Sequence, residues 1–355
     1  MGKTFCRYVV LLSMKNPLVA SLMVAVLSCC FAPIESWGQD IQQQAKQYFT
    51  PLPAVMESAQ NPVTPEKAAL GKLLFYEPRI SIDGTVSCAK CHPMSLYAVD
   101  ALRKSVGNTC RENPRNAPTL LNAAGQISAH WIGNRVSVED QAKQALVGPP
   151  SYGMPNYASV ETKLRRSTEY AALFKKAFPD DTDPVTADNF AKAIGAFERT
   201  LVTPSPFDDF LKGNQAAMST AQKDGLKLFL ATGCVACHTG TYLGGQSYQK
   251  FGVTDAYWKL TGGDKPDEGR FTVTKDEADK YRFKVPILRN VAKTSPYFHD
   301  GSVDSLQAAV VIMAKLQLGK ALSEEQAASV VEFLSALTGK IPEHALSVPL
   351  LPSGL

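Results

Sequence analysis

Long apolar runs are missing from this 355-residue chain beyond Phe31. Because a helix needs about 20 mostly apolar residues to cross a bilayer, we expect no membrane span after that point. A strong charge imbalance is missing too, since 37 Lys and Arg against 33 Asp and Glu leave a net charge of +4. Nucleic-acid-binding domains usually carry a concentrated basic patch. We therefore expect no nucleic-acid partner.

The first 38 residues have the pattern of a secretory signal peptide. Basic residues precede an apolar stretch over 18–31, which has the length of a signal core and is short for a membrane span. Small residues then stand at the −3 and −1 positions of a cleavage site before Gln39. This pattern predicts export to the periplasm. Cys29 and Cys30 leave a lipoprotein anchor as the alternative, although neither follows Gly or Ala.

Two pentapeptides carry most of the chemical information. Both read C-x-x-C-H, the attachment signature of a c-type haem, in which the thiols bond to the haem vinyl groups and the imidazole becomes the proximal iron ligand. A zinc half-site or a redox C-x-x-C would explain one copy. Two copies, with no second C-x-x-C or H-x₃-H nearby, favour two covalently bound haem c groups. The residues are Cys88, Cys91 and His92 in the first motif and Cys234, Cys237 and His238 in the second.

Few cysteines remain outside these motifs. With Cys6, Cys29 and Cys30 in the leader, Cys110 is left alone, so no intrachain disulfide framework is available. The length of the remaining chain suggests two domains. Turn residues at 204–206 mark the expected boundary. We expect one haem domain over 39–205 and another over 206–355.

Helix signals precede both haem motifs. Gly71-Lys-Leu-Leu-Phe75 lies before the first and Gly225-Leu-Lys-Leu-Phe229 before the second. A Thr-Pro pair at Thr64 and a capping box at Ser219 predict where these helices begin. We expect a mainly α fold of two cytochrome c-like haem domains with long loops and few strands, because haem faces replace much of the core. Further helices are predicted over 161–178, 186–201, 308–318 and 323–337.

Four other stretches resemble the bacterial di-haem cytochrome c peroxidases and their relative MauG. They lie at 70–79, 114–118, 283–291 and 296–301. The resemblance implies a low-potential N-terminal haem that meets peroxide and a high-potential C-terminal haem that receives electrons. It implies a small donor protein, either a cytochrome c or a cupredoxin, or an oxidised protein substrate. It also implies a homodimer or a hetero-oligomer with a homologue.

The resemblance assigns roles to Met313 and Trp131. Met313 lies 14 residues after His299, the spacing at which the family places the Met ligand of the C-terminal haem. A thioether ligand raises the haem potential. Trp131 falls where the family has a Trp that bridges the two haems. His130, beside it, is not the family's residue, and we interpret it as structural or as adjacent to the bridge, and not as a haem ligand.

The peroxide pocket departs from the family at two positions. Asn108 stands where the family has the His that closes the N-terminal haem, which implies an open or water-bound haem. Ser151 stands ten residues after Gln141, where the family has its catalytic Glu. Ser cannot act as a base at neutral pH, and the neighbouring Tyr152, with an ordinary pKa of about 10, is a weak one.

Two functional hypotheses follow from these departures. The first is a dihaem peroxidase or MauG-like oxidase whose activity is altered or weak. The second is a non-catalytic electron-transfer or structural subunit that assembles with an active homologue.

The resemblance also implies a calcium site. Asn116, Thr294 and Pro296 match the family's ligands, which are an Asn side chain and two backbone carbonyls. Oxygen donors suit a hard cation such as Ca²⁺. Without the resemblance, Asn116 would be interpreted as the cap of a turn.

Overall fold

The computed structural model describes residues 40–262 and 265–355. The predicted signal peptide, with its three cysteines, lies outside these residues. In the described part of the chain helices dominate, and two short strands pair antiparallel with Gln249 opposite Phe283. The expectation of a mainly helical fold with few strands is confirmed. None of the helices in the described ranges combines the length and the apolar character needed to cross a membrane.

The secondary structure elements are numbered along the chain. The α-helices are α1 (Ile41–Tyr48), α2 (Pro65–Phe75), α3 (Cys88–Cys91), α4 (Val138–Val147), α5 (Tyr157–Arg166), α6 (Thr168–Ala177), α7 (Ala187–Arg199), α8 (Pro206–Lys212), α9 (Thr220–Thr232), α10 (Trp258–Thr261), α11 (Phe271–Thr274), α12 (Leu306–Leu318), α13 (Glu324–Ser335) and α14 (Glu343–Leu346). The strands are β1 (Tyr248–Lys250) and β2 (Arg282–Lys284). Single 3₁₀ turns cover Pro78–Ile80, Met94–Leu96, Asn108–Cys110, Ala123–Gly125, Gln215–Ala217, Cys234–Ala236, Glu277–Asp279 and Val291–Lys293.

Helix starts follow the predicted capping residues. The Thr64 side chain accepts a hydrogen bond from the amide of Lys67, with Pro in the first turn of α2. Capping boxes begin α9 at Ser219 and α13 at Ser323. These contacts satisfy backbone amides that have no partner inside the helix. All three predicted starts are confirmed.

One predicted helix is wrong, because residues 161–178 form parts of two helices and not one. Ser167 separates α5 from α6 with an extended backbone (ψ 112°), and its side chain accepts a hydrogen bond from the amide of Tyr170. A serine that caps the next helix in this way competes with continuation of the previous one. The break therefore comes from a single capping contact.

The two similar segments before the haem motifs, which both read G-x-x-L-F, have a packing explanation. Gly71 of α2 faces the backbone of α7, and a Cβ at Gly71 would overlap the carbonyl group of Ala193. Gly225 of α9 faces α13 in the same way, and a Cβ there would overlap the carbonyl group of Ser329. In both halves the helix before the haem motif crosses a later helix at close range. Glycine is required at each crossing because no side chain fits.

Of the four apolar clusters in the described chain, two are large. One draws on α2 and α4 to α7, with Phe75, Phe190 and Phe197 fully buried. The other draws on α8, α9 and α13, with Phe207 and Phe333 fully buried. Each core also contains a residue from the opposite end of the described chain. Phe49, after α1, packs in the second core, and Ala345 of α14 packs in the first. The domain boundary at 205 and 206 stays a prediction.

Candidate functional site

Two cavities each contain one C-x-x-C-H motif. The N-terminal cavity is lined by Cys88, Cys91 and His92, with both cysteines on α3. The C-terminal cavity is lined by Cys234, Cys237 and His238, of which Cys234 begins the 3₁₀ turn that follows α9 and the other two come directly after that turn. Thus the structure brings each predicted set of attachment residues to one cavity wall.

The two motif histidines are oriented in the same way. Nδ1 of His92 lies 3.0 Å from the carbonyl oxygen of Ala98, and Nδ1 of His238 lies 3.1 Å from that of Leu243. A carbonyl oxygen can only accept, so Nδ1 carries the proton and Nε2 keeps the lone pair that iron binding requires. Burial lowers the pKa of both imidazoles, which favours the neutral form.

The carbonyl groups that orient these histidines come from strained backbone. Ala98 has φ 57° and Leu243 has φ 51°, both in the left-handed region. For residues other than glycine this conformation costs about 1–3 kcal/mol and persists where the surroundings enforce it. In both motifs, therefore, a carbonyl group of a residue in the left-handed conformation orients the histidine.

The thiols fit haem attachment better than the alternatives. Burial raises the pKa of the Cys88 thiol to about 12 and that of the Cys234 thiol to about 11. A redox C-x-x-C has a lowered thiol pKa instead. A zinc site needs further ligands, and no group of three or more His, Cys, Asp or Glu in the described ranges is placed to hold a metal ion.

Met313 lies on α12 and lines the C-terminal cavity together with His238. The surrounding wall is aromatic, with Met313 packed against the cluster that contains Phe251 and Phe283. His299, the residue that set the spacing, stacks on Phe283 with ring centroids 4.2 Å apart. The structure thus brings the predicted Met and His ligands to one cavity, and the iron bond to Met313 stays a prediction.

Trp131 lines both cavities. Its indole Nε1 donates a hydrogen bond of 2.9 Å to the carbonyl oxygen of Asn116, which fixes the ring in the shared wall. His130 lines both cavities too, but its Nδ1 is 2.9 Å from Oδ1 of Asn134, and burial lowers its pKa to about 4.

Lys284 also lines both cavities, and the sequence analysis missed it. Its Nζ donates to Oε1 of Gln126 at 2.5 Å and to the carbonyl oxygen of Ser128 at 2.7 Å. Among the described residues it has no ion-pair partner, and burial lowers its pKa to about 7. The available signal was a lysine between Phe283 and Val285, which are both buried.

The N-terminal cavity contains two of the predicted peroxide-pocket residues. Gln141 of α4 and Ser151 of the following loop line it. Asn108 is not among the residues that line it. The Asn108 side-chain amide instead donates to the carbonyl oxygens of Pro149 (2.6 Å) and Ser151 (2.7 Å). Asn108 therefore holds the loop that carries Ser151.

Tyr152 is fully buried in the wall of the N-terminal cavity. Its hydroxyl oxygen lies 3.4 Å from Sγ of Cys88. Burial and the nearby Cys88 raise the tyrosine pKa well above its ordinary value. The hydroxyl therefore stays protonated and cannot supply the base that position 151 lacks.

Glu198 of α7 is a second residue that the sequence analysis missed. Of the described side chains that line the N-terminal cavity, it carries the one carboxyl group. Its Oε2 has no hydrogen-bond partner among the described residues. Burial and the charge of Glu139 raise its pKa to about 8, against the opposing effect of Arg199. The available sequence signal was its spacing, one helical turn after Ile194 and two after Phe190, on the apolar side of the predicted helix.

The three predicted calcium ligands lie in the wall of the C-terminal cavity. Asn116, Thr294 and Pro296 all contribute to it. The Asn116 side-chain amide donates to the carbonyl oxygen of Leu102 at 2.9 Å, which fixes its orientation. Oxygen donors suit a hard cation, and the calcium site itself stays a prediction.

Comparison with known proteins places this geometry in a family. Residues 65–216 match the family described as di-haem cytochrome c peroxidase. The chain is 42% identical over 340 residues to the cytochrome c551 peroxidase of Pseudomonas aeruginosa, covering 94% of this chain and 95% of that protein. It is 34% identical over 344 residues to the methylamine utilization protein MauG of Methylorubrum extorquens, covering 92% and 94%.

A solved structure agrees with these relatives. A MauG-like protein associated with microbial copper homeostasis superposes with a TM-score of 0.73 at 28% identity, covering 84% of this chain and 97% of that one. The diheme peroxidase BthA of Burkholderia thailandensis shares the fold, with a TM-score of 0.66 at 18% identity, covering 86% and 94%. The chain therefore belongs to the di-haem cytochrome c peroxidase and MauG family of oxidoreductases, and membership implies two c-type haems.

Proposed function

We propose that this protein reduces hydrogen peroxide to water in its N-terminal cavity, with electrons that enter through the C-terminal cavity from a small donor protein in the periplasm. The observation that carries the proposal is the wall shared by the two cavities, which contains Trp131 and Lys284. A shared wall lets electrons cross between the sites over a short distance. The relatives named cytochrome c peroxidase support the same reaction.

The proposal gives each cavity residue a task. Each haem, when bound, supplies an iron that exchanges one electron at a time. The cysteines of the two motifs would hold the haems, and His92, His238 and Met313 would be the iron ligands. Trp131 bridges the two sites, and Gln141 orients peroxide by hydrogen bonding. Asn108 fixes the loop by donating a hydrogen bond to the carbonyl oxygen of Ser151. That loop carries a serine where the family has its catalytic Glu.

Steady-state consumption of H₂O₂ with a reduced cytochrome c tests this function. We expect slow turnover by the wild-type protein. Ser151→Glu should raise turnover by about tenfold or more, because it adds an acid–base group to the loop. Ser151→Gln is the matched control, since it adds a side chain of similar size without an acid. Absence of peroxide consumption in all three proteins would overturn the proposal.

A second candidate function is favoured by the same serine. With no carboxylate at position 151, the chain would serve as an electron-transfer or structural subunit beside an active homologue. In that case the donor would reduce the haems and no peroxide would be consumed. Co-purification with a homologous chain, and not as a homodimer, would support this second candidate.

We also propose that Asn116 and the carbonyl groups of Thr294 and Pro296 bind Ca²⁺ between the two haem domains. Their common position in one wall supports the site. Metal analysis of the dialysed protein should find one calcium per chain, and Asn116→Ala should lose it. Equal calcium content in both proteins would contradict the assignment.

A further inference from the structure

The N-terminal cavity contains a carboxyl group that the proposed function leaves without a role. We propose that Glu198 takes up and returns the proton during peroxide cleavage in this cavity, in place of a carboxylate at position 151. The inference rests on the proposed function of peroxide reduction. It adds the group that carries the proton.

Glu198 lies on a helix that packs against the elements of the other peroxide-pocket residues. Its helix, α7, packs on α4, which carries Gln141. Tyr152 also reaches α7, where its ring meets that of Phe190 at a centroid distance of 6.5 Å. Glu198, Gln141, Ser151 and Tyr152 therefore belong to one set of packed elements, and all four line the cavity.

The hydrogen bonding of Glu198 differs from that of other buried carboxyl groups in this protein. Glu77 is fully buried and accepts hydrogen bonds from Arg79 and from the hydroxyl of Tyr170. Glu139 pairs with Arg199 at 2.9 Å and also accepts from Asn61. Oε2 of Glu198 has no such partner. An unsatisfied buried polar group lowers the stability of the fold, and such an exception calls for a reason other than that stability.

The charges around Glu198 suit proton exchange near neutral pH. Among the described residues, Glu139 of α4 and Arg199 of α7 are the charged groups that act on it. Arg199 is engaged by Glu139, so burial and the Glu139 charge outweigh it and raise the pKa of Glu198 to about 8. The nearby Tyr152 stays neutral at this pH because its own pKa is raised. Glu198 thus holds its proton at pH 7 and loses it in mildly alkaline solution.

This group can balance the reaction. The ionised carboxylate of Glu198 takes the proton from the near oxygen of H₂O₂ and returns it to the far oxygen. The O–O bond then breaks, and the far oxygen leaves as water. Two electrons from the donor protein and two protons from solvent convert the near oxygen to a second water. The carboxylate is regenerated, and one H₂O₂ gives two H₂O.

Cyanide binding provides a test that is independent of peroxide turnover. Hydrogen cyanide must lose a proton when it binds to a haem, so its association rate reports a base in the cavity. We expect the wild-type rate to rise with pH, with a midpoint near the Glu198 pKa of about 8. Glu198→Gln should remove the part of this rise with a midpoint near 8, leaving the rise at higher pH that ionisation of free hydrogen cyanide causes. It should also slow the reactions with cyanide and with peroxide by about 10²–10⁴-fold. Asp188→Asn, which changes an exposed carboxylate on the same helix, is the control and should match wild type.

Two further variants make the outcome decisive. Ser151→Glu added to Glu198→Gln should restore the peroxide reaction, because it returns a carboxylate to the cavity. Glu139→Gln keeps Glu198 but removes the charge that raises its pKa, so the pH midpoint should fall. If Glu198→Gln lacks haem by mass, the Glu139→Gln midpoint decides, and an unmoved midpoint overturns the inference.

The results separate this inference from the proposed function. Wild-type rates and pH profile in haem-loaded Glu198→Gln would overturn the role of Glu198 while leaving peroxide reduction intact. Glu198-dependent cyanide binding without any peroxide turnover would overturn the proposed function and, with it, the role of Glu198 in peroxide cleavage, and would leave Glu198 only as a proton acceptor of the cavity.

Discussion

Replacing Arg289 by Met should destabilise the protein by about 3 kcal/mol or more. Arg289 and Asp208 form an ion pair of 2.6 Å in which both side chains are completely buried. The guanidinium also donates from Nε (3.1 Å) and Nη2 (2.9 Å) to the carbonyl oxygen of Thr241, three residues after His238. This pair therefore joins α8 to the segment that orients the C-terminal motif histidine.

The magnitude follows from what the substitution leaves behind. Removing one partner of a buried pair costs about 3–5 kcal/mol, because the other charge stays buried without compensation. Asp208 would keep its hydrogen bonds from the amide of Leu52 and from Ser205, both at 2.8 Å, which reduces the penalty. The carbonyl oxygen of Thr241 would lose both donors. Met fills much of the same volume, so a cavity adds little, and the lower end of the range is expected.

Urea unfolding of the haem-loaded proteins measures this free energy. Arg165→Met is the matched control, because Arg165 pairs with Asp183 at 2.7 Å on the surface, with side-chain exposures of 39% and 65%. Exposed pairs contribute about 0–1 kcal/mol, so the control should lose little. Equal, small losses in the two variants would refute the reasoning, since burial of the Arg289 pair is the difference on which it depends.

The remaining predictions concern the haem sites. The intact mass should exceed that of the cleaved polypeptide by two haems, and a mass with one haem or none would exclude attachment at both motifs. Met313→Ala should abolish the sulfur-to-iron absorption band and lower the potential of the C-terminal haem; an unchanged spectrum would assign Met313 to the apolar core. Because an amide stands at Asn108, the oxidised protein should contain a high-spin haem by electron paramagnetic resonance, and two low-spin haems would contradict an open site. Spectroelectrochemistry should show haem potentials that fall as pH rises through the Lys284 pKa of about 7, because the deprotonated amine no longer favours ferrous iron. Lys284→Met should have lower potentials and lack this fall; potentials equal to wild type would exclude an electrostatic role.

Helix starts were predictable in this fold where they depend on a single capping side chain close in sequence. Thr64, Ser219 and Ser323 each satisfy a backbone amide three residues away, and each begins a helix as expected. The break at Ser167 was missed because the same kind of capping contact lies inside a segment that otherwise reads as one continuous helix. Local patterns therefore predict where helices begin more securely than where they are interrupted.

The attachment residues were predictable for the same reason, since each C-x-x-C-H motif is local. The positions of Glu198 and Lys284 in the cavity walls were not predictable in this way. Glu198 reaches the N-terminal cavity because α7 packs on α4. Lys284 reaches both cavities because β2 lies beside the segment of Trp131, whose carbonyl oxygen accepts a hydrogen bond of 2.7 Å from the Lys284 amide. These positions depend on contacts between residues far apart in the chain. A polar residue in an apolar context was visible in the sequence, but not the cavity it faces.

Buried ionisable groups in the described residues differ in their partners according to whether they line a haem cavity. Away from the cavities, a buried charge is matched, as Asp208 is by Arg289. At the cavities, Lys284 has no carboxylate partner and Oε2 of Glu198 has no hydrogen-bond partner among the described residues. An unmatched group of this kind lowers stability, and such losses are typical of functional sites. The cation in the shared wall suits electron transfer because it favours the reduced state on either side. The acid in the N-terminal cavity suits proton transfer because it can gain and lose its proton near neutral pH.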